Sequence, residues 1–443
     1  MASREQEQHF LANKTITVSG AGISGLAFAI SLHKLWSSIS TSPPPPITLY
    51  ERDHSAVPKN REGYSLSLRS DRPSAGIQTL QKMGLLDRML EVSITGLEGD
   101  ATLGENDTQE RKGEGGFVVW DKEFRKIMKV QSKTPKGCPV AGMRIARKDL
   151  RRTLVESVEG LPDVEIRWGE AVTGVSSAPD GGVEIETSKG RVETCDILLA
   201  CDGSSSKLRG ILRPNDTLKF AGPTCVFGTT SIAGHHPSGR DDEFGSAISG
   251  AGPALFIAPV DHESMIWCLS WQVDEPLVPK KPPMSPEDSQ ALLDEARKIG
   301  GPAYGEQLLK MIDDTDPKTL TRFNAMDKQP FTHSGAYITA PNLSSLQGKV
   351  IFLGDANHAV SPFAGNGANL ALMDGWDFAE SLVQSESLEE AVGRYDKLTV
   401  GRAKRVIAMS HFSIRVMHAT GWWLWFWMGV LRVIRFLFFK KGD

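Results

Sequence analysis

The sequence predicts an α/β fold in which a doubly wound, parallel-sheet domain is interrupted by an antiparallel sheet and followed by C-terminal helices. Three observations lead there. Strand, glycine turn and helix follow one another at both ends of the chain, in TITVSGAGISG from Thr15 and in GKVIFLGDA from Gly348. Between them CVFGTTSIA, ALFIAPV and SMIWCLSWQV have the length and alternation of antiparallel strands. The 443 residues also exceed the usual size of one domain.

Taken in order, residues 15–19 are a β-rich run that turns on glycines into a helix reaching Trp36. SSISTSPPPP is a loop stiffened by its prolines, and ITLYERD, residues 47–53, is a second strand ending in charge. Pro73 and Ser74 mark the start of a helix with Ile77, Leu80, Met83 and Leu85 on its apolar side. Residues 97–118, rich in Gly, Glu and Asp, read as a surface excursion. Leu150, Leu154 and Val158 recur at helical spacing in residues 146–158. VEIRWG, VEIETSKGRVE and DILLACDG are β-like, and the PDGG and SKG turns suggest a meander. Beyond Arg209 come the long strands, with Met265, Trp267, Leu269 and Trp271 alternating with smaller residues. KKPPMSPED links them to a helical stretch near 287–315. The expected division is a discontinuous nucleotide-binding domain from 1–90, 140–215 and 341–385, a β-rich substrate domain at 216–340, and C-terminal helices at 386–443.

Composition narrows the function. Apolar residues are 40% of the chain, enough for real cores, and the net charge is -4. That balance supplies no basic field, so nucleic acid is not an expected partner. Cys138, Cys195, Cys201, Cys225 and Cys268 form no C-x-x-C pair, which argues for reduced thiols and against a zinc site. The opening MASREQEQHFLANK lacks the apolar run of a secretory signal, so a cytoplasmic location is expected. Residues 421–439, GWWLWFWMGVLRVIRFLFF, are strongly apolar but contain Arg432 and Arg435, which disfavour a bilayer span. Trp422, Trp423, Trp425 and Trp427 cluster at one end, as indoles do at a membrane interface. Two readings stand: peripheral membrane association through this helix, or docking on the protein's own surface.

Gly20-Ala21-Gly22-Ile23-Ser24-Gly25 fits G-x-G-x-x-G between a strand and a helix, a Rossmann-type turn. Gly20 permits the tight turn, Gly22 lets a pyrophosphate approach the backbone, and Gly25 lets the helix pack on the strand. Glu51 ends the next strand, where a carboxylate accepts ribose hydroxyls and favours an unphosphorylated ribose, as in FAD or NAD. No second such motif lies between a strand and a helix; Gly250-Ala251-Gly252 falls in the sheet-like centre. Late in the chain comes FLGDANHAVSPFAGNGANLALMDG, from Phe352 to Gly375. Asp355 at a strand end is placed to hold a sugar or ribityl hydroxyl, while Pro362, Gly365 and Gly367 let backbone approach a flat ring. A helix beginning near Asn369 aims its amides at charge developing on that ring. A middle motif, Asp202 to Arg209, adds another strand-end aspartate.

These three stretches together resemble the single-component FAD-dependent monooxygenases, the superfamily of para-hydroxybenzoate hydroxylase. They look most like its tetracycline-inactivating branch and related fungal secondary-metabolite hydroxylases. The resemblance covers most of residues 15–395. The family's late motif reads G-D-A-x-H-x-x-x-P-x-x-G-x-G-x-N-x-x-x-x-D, and Gly354, Asp355, Ala356, His358, Pro362, Gly365, Gly367, Asn369 and Asp374 match every fixed position. Asn366 stands where glutamine is commoner. The resemblance implies a Rossmann-type FAD-binding domain in which Gly20, Gly22, Gly25, Glu51, Arg52, Gly63, Arg147, Asp202, Asp355, Pro362, Gly365, Gly367 and Ala368 hold FAD. It implies that NADPH or NADH reduces the flavin, that O2 adds at its C4a position, and that one oxygen atom passes to an electron-rich small molecule. No catalytic residue is assigned, since the cofactor carries the chemistry; for His358 a structural role is expected. Phe227-Gly228-Thr229-Thr230 lacks the polar groups of the tetracycline-inactivating relatives, which argues against tetracycline as natural substrate. Epoxidation, Baeyer–Villiger oxidation, an oxidase, a non-catalytic flavin binder and a nicotinamide-dependent dehydrogenase are the competing readings.

Overall fold

The computed structural model describes residues 9–39, 43–57, 64–71, 74–96, 116–130, 134–233 and 243–438. Five parallel strands form the first sheet, in the order Val350–Phe352, Ile197–Ala200, Ile16–Ser19, Ile47–Glu51 and Val164–Trp168. These short runs are apolar without alternation because both faces are covered. Val18, Leu49, Leu199 and Ile351 pack under the helices Ile23–Trp36, Arg147–Glu159 and Gly367–Val383. Leu198, Ala200, Val350 and Phe352 face the other way, against the antiparallel meander Val172–Ser177, Val183–Thr187 and Val192–Cys195. The chain leaves the first strand toward one neighbour and returns later on its other side. That reversal opens a crevice beyond the carboxyl ends of the strands. Ser19 aligns with both Tyr50 and Ala200, and Ala200 with Phe352, so the turns after these strands meet in one place.

A seven-stranded sheet runs Thr321–Asp327, Lys219–Ser231, Ser264–Gln272, Ala254–Pro259, Phe244–Ile248, Phe117–Asp121 and Lys126–Val130. Its neighbours are antiparallel except Phe244–Ile248 and Phe117–Asp121, which pair parallel. The strand Phe117–Asp121 corrects the end of the 97–118 stretch read as a surface excursion. Residues 97–115 lie outside the described residues, but Val118, Val119 and Trp120 are buried in the sheet. A run of four apolar residues, Phe117 to Trp120, is too short for its periodicity to tell a strand from a helix.

The two faces of this sheet have different fates. Met265, Trp267, Leu269 and Ile257 pack beneath the helix Pro286–Asp313, and Trp267 Nε1 donates to Thr315 Oγ1 at 2.8 Å. That helix is broken at Gly305, whose φ of 60° and ψ of -148° interrupt it. Phe227, Phe256, Ala258 and Ile266 point the other way, toward Tyr64 and Ala146 of the first half of the molecule. A small sheet, Ser65–Arg69, Gly142–Ala146 and Ser93–Thr95, joins the halves. Two long helices, Leu388–Met417 and Gly421–Phe438, close the chain. No helix among the described residues is long and apolar enough to cross a membrane.

The helices Ile23–Trp36 and Gly367–Val383 lie in close contact because Gly375 has no side chain. A Cβ there would stand 2.6 Å from Phe28 N, 2.7 Å from Ala27 Cβ and 2.8 Å from Ser24 O. Gly375→Ala is expected to force the helices apart and lower stability by about 1–3 kcal/mol, the usual cost of overpacking. Urea denaturation followed by circular dichroism checks it; an unchanged midpoint would show that the helices yield freely.

Candidate active site

Gly20 sits at φ +108°, and a Cβ on it would meet Cys201 O at 2.5 Å, so the turn admits only glycine. At Gly25 a Cβ would meet Gly20 O at 2.3 Å, which is the helix-on-strand contact expected of the third glycine. Gly22 differs. Its nearest neighbour, Cys201 O, is 4.0 Å away, so the protein itself leaves room there. The helix begins at Ile23 without a side-chain cap or an acidic residue in its first turn, leaving its first amides facing the crevice.

Glu51 ends its strand in this crevice and is 7% exposed. Its Oε1 accepts from Asp53 N at 3.0 Å and its Oε2 lies 3.2 Å from Arg151 Nη2. Arg151 also donates to Asp53 Oδ2 at 2.9 Å and to Ala21 O at 3.3 Å, with Trp168 under its guanidinium. One buried cation therefore ties the glycine turn to the acidic strand end. Arg151 had a sequence signal: it follows Arg147 by one helical turn in ARKDLRR, on the same face. Arg147 starts that helix, its amide donating to Tyr64 O at 3.1 Å and its guanidinium standing 6.0 Å above the Tyr64 ring. Arg52 is exposed at the strand end, and Gly63 lies outside the described residues.

Asp202 follows its strand into the same crevice. Its Oδ2 accepts from Lys207 N at 2.8 Å and Leu208 N at 3.2 Å, capping the short helix Lys207–Leu212. Its other oxygen, Oδ1, is buried and has no hydrogen-bond partner. Burial pushes this carboxyl up, against the hydrogen bonds that hold it down.

The late motif is built around Gly354, at φ +60°, and Asp355, which opens the turn Asp355–His358. Burial pushes the Asp355 carboxyl up to about 6, although His358, Arg147 and Arg209 oppose it. Behind the turn, Arg209 donates to Ala356 O at 3.0 Å and Lys328 to Asn357 O at 2.8 Å. Pro362 opens a turn that Gly365 closes at φ +62°. The next helix starts at Gly367, two residues before Asn369, again without a side-chain cap. A Cβ on Gly365 or Gly367 would meet nothing nearer than 3.7 Å, and Ala368 is buried beside them. Asn369 joins this loop to the strand Ser65–Arg69, accepting from Arg69 N at 3.0 Å and donating to Ser67 O at 2.9 Å. Ser74 Oγ donates to Asn366 Oδ1, while Asn366 Nδ2 is buried without a partner.

His358 and Asp374 form a buried pair at 2.5 Å. Asp374 also accepts from Gly354 N at 3.0 Å, Thr399 Oγ1 at 2.7 Å and Arg402 Nη2 at 2.8 Å. Burial alone would raise the Asp374 carboxyl; His358, Arg402 and Thr399 outweigh it and hold it far below the usual carboxylate range. Burial likewise opposes the charged form of His358, and Asp374 overcomes it and raises the imidazole. His358 is thereby a fastener, as the sequence suggested, and not a free base.

This crevice suits a dinucleotide carrying a flat ring. Gly22, Gly203, Gly365 and Gly367, on which a Cβ would meet nothing nearer than 3.7 Å, line it, and Asp202 Oδ1 and Asn366 Nδ2 are buried without a hydrogen-bond partner. Fold and site thus define a flavin-dependent oxidoreductase scaffold. A sequence profile described as an FAD binding domain matches residues 310–410. The chain is 33% identical over 420 residues to "Monooxygenase cfoF" of Aspergillus candidus, covering 93% of each chain. It is 22% identical over 397 residues to "Aurachin C monooxygenase/isomerase" of Stigmatella aurantiaca, covering 90% of this chain and 88% of that one. The structure is similar to Klebsiella pneumoniae HpxO complexed with FAD and uric acid, with a TM-score of 0.68 at 19% identity over 95% of this chain and 93% of that one. It is also similar to tetracycline destructase Tet(51), with a TM-score of 0.61 at 17% identity over 95% of this chain and 96% of that one. The chain belongs to the single-component FAD-dependent monooxygenases.

The His358–Asp374 pair makes stability depend on pH. Asp374 is lowered from 3.8, so its contribution is present above that value and is lost as pH falls through the folded-state value. His358 is raised from 6.5, so its contribution is complete below that value and is lost as pH rises through the folded-state value. Asp374→Asn is expected to cost about 3–5 kcal/mol, with the loss greatest between about pH 4 and 6.5. Thermal melts of both proteins across pH 4–9 measure it; a pH-independent difference would sink the assignment.

Proposed function

We propose that this monooxygenase uses NADPH or NADH and O2 to hydroxylate an electron-rich aromatic or polycyclic small molecule of the secondary-metabolite kind. The observation that carries this is where the aromatic face of the large sheet lies. Phe227 meets Tyr64 edge-on at 6.2 Å, and Tyr64 is the residue whose carbonyl receives the Arg147 amide. Aromatic packing therefore continues up to the start of a helix assigned to the flavin. A cleft of about 320 Å³ opens at this junction, with Tyr64, Ala146 and Val260 on its apolar part and Lys148, Thr229, Thr230, Asp261 and Asp314 among its polar lining. Tyr64 and the aromatic face beside it offer edge and offset contacts to a flat ring, and the polar lining of the cleft offers hydrogen bonds to its oxygen substituents.

In this reading residues 1–90, 140–215 and 341–385 hold the cofactor, and 216–340, extended by the strands at 117–130, hold the substrate. Bound FAD supplies hydride acceptance from a nicotinamide and the activation of O2. The chain's own residues bind, orient and exclude water. Gly20, Gly22 and Gly25 receive the pyrophosphate on the helix start, with Asp202 at its edge. Glu51, held by Arg151, accepts from the adenosine ribose, with Arg52 and Gly63 nearby in sequence. Asp355 and Arg147 hold the ribityl region. Pro362, Gly365, Gly367 and Ala368 bring backbone against the ring, where the amides of the helix at Gly367 favour negative charge.

Asp355→Ala is expected to purify without flavin, read from the 450 nm absorbance of the folded protein; a fully yellow variant would refute the late-motif assignment. Anaerobic stopped-flow mixing of the holoprotein with NADPH or NADH, with and without phenolic, polyketide, indole and terpenoid candidates, tests the reaction. Reduction that stays slow until one candidate is added supports a substrate-gated hydroxylase. Equally fast reduction with every candidate and with none would replace the proposal with an oxidase or an ungated enzyme.

A further inference from the structure

The helix Gly421–Phe438 has two apolar sides with different roles. One side carries Leu424, Trp427 and Leu431, which pack with Val119, Ile248 and Val416 at the edge of the large sheet. The bridge between Ala251 and Thr420 fixes the entry to the helix. The helix is thus docked on the protein's own surface, one of the two readings open from sequence. The other side faces outward. Trp422 is 64% exposed, Trp423 51%, Trp425 80% and Phe426 39%. Trp422 and Trp423 lie 4.3 Å apart, centre to centre, and Phe426 lies 5.8 Å from Trp423. The cluster continues through Trp427, 5.3 Å from Phe412, to exposed Phe412 and Met409 on the preceding helix. Single exposed apolar residues need no explanation, but a contiguous aromatic patch marks a docking surface.

Charge indicates what docks there. The chain has 50 Lys and Arg against 54 Asp and Glu, yet residues 397–442 hold nine Lys and Arg and no acidic residue. Lys404, Arg405 and Arg415 are exposed on the preceding helix. The occupant is therefore negatively charged and accommodates indole rings. A second copy of the chain would set this cationic segment against itself across a two-fold contact. An anionic lipid surface answers both features, since indoles settle at the headgroup level and basic residues are drawn to acidic headgroups.

We propose that this aromatic, basic surface docks the protein peripherally on an anionic lipid bilayer, with the helix Gly421–Phe438 lying in the interface plane. The helix binds its own sheet on one side and lipid on the other.

The full-length holoprotein is tested by co-sedimentation with phosphatidylcholine vesicles and with vesicles containing phosphatidylserine. Binding to the anionic vesicles is expected to be about tenfold tighter and to weaken with added salt. Trp422→Ser/Trp423→Ser/Trp425→Ser is expected to lose about tenfold or more in that binding. Lys404→Glu/Arg405→Glu is expected to reduce the preference for anionic lipid. Flavin absorbance of each variant confirms the fold. No vesicle binding by the parent protein, or binding that both variants leave unchanged, would overturn the proposal. So would a concentration-dependent dimer, seen by size exclusion, that the tryptophan variant dissolves while the parent ignores vesicles.

Discussion

Asp374 is the constraint on which the site depends. It is wholly buried, and such a carboxylate survives only where every oxygen is answered. Four groups do so: the Gly354 amide, the His358 imidazole, the Thr399 hydroxyl and the Arg402 guanidinium. They come from the strand end, the turn after it and a later helix, so one charge sets the relative position of three elements. Arg402 extends the arrangement to Asp377 at 2.7 Å, one helical turn along. With Gly354 pinned at its positive φ, the chain has one way to leave the sheet, and that direction delivers Asp355 into the crevice.

The turn is held from behind by cations of a different kind. Arg209 and Lys328 donate to the carbonyls of Ala356 and Asn357, while Asp216 pairs with Lys328 at 3.0 Å. Burial lowers the Lys328 ammonium to about 8, with Asp216 opposing that shift. These donors fix the carbonyl side of the turn, while the Gly354 amide is held by Asp374 and the Asn357 and His358 amides close on Gly354 O. At the other end of the crevice Arg151 does the corresponding work for Glu51. The site is thus a set of backbone turns, each steadied by a buried ion pair behind it.

Much of this was legible in the chain. The glycine turn, Glu51, Asp355 and the Pro362–Gly367 loop are local signals, in which a few adjacent residues reveal the backbone they require. The burial roles of Gly20 and Gly25 followed from the same logic. What escaped was tertiary. Arg151 shares a helix face with Arg147 in the sequence, but only the fold shows that it is buried against Glu51 and Asp53. Phe117–Asp121 is too short to announce itself and is a strand because the edge beside Phe244–Ile248 needs a partner. Alternation in Ser264–Gln272 showed that the strand has two sides but not which faces the cofactor. Trp267 and Trp271 proved to lie under a helix, and Phe227 and Phe256 on the side of Tyr64.

The parallel sheet also dictates an order of assembly. Its edge strand, Val350–Phe352, pairs with Ile197–Ala200, and Asn369 bonds back to Ser67, 302 positions earlier. Contacts that span so much chain form late and slowly. A nascent chain emerging amino end first exposes the Gly20 turn and four strands of this sheet long before their last neighbour exists. The crevice therefore cannot mature cofactor-first from the N-terminus. Its completion waits for the Asp374 carboxylate, so the parts of the crevice are all present only after residue 374 has been made.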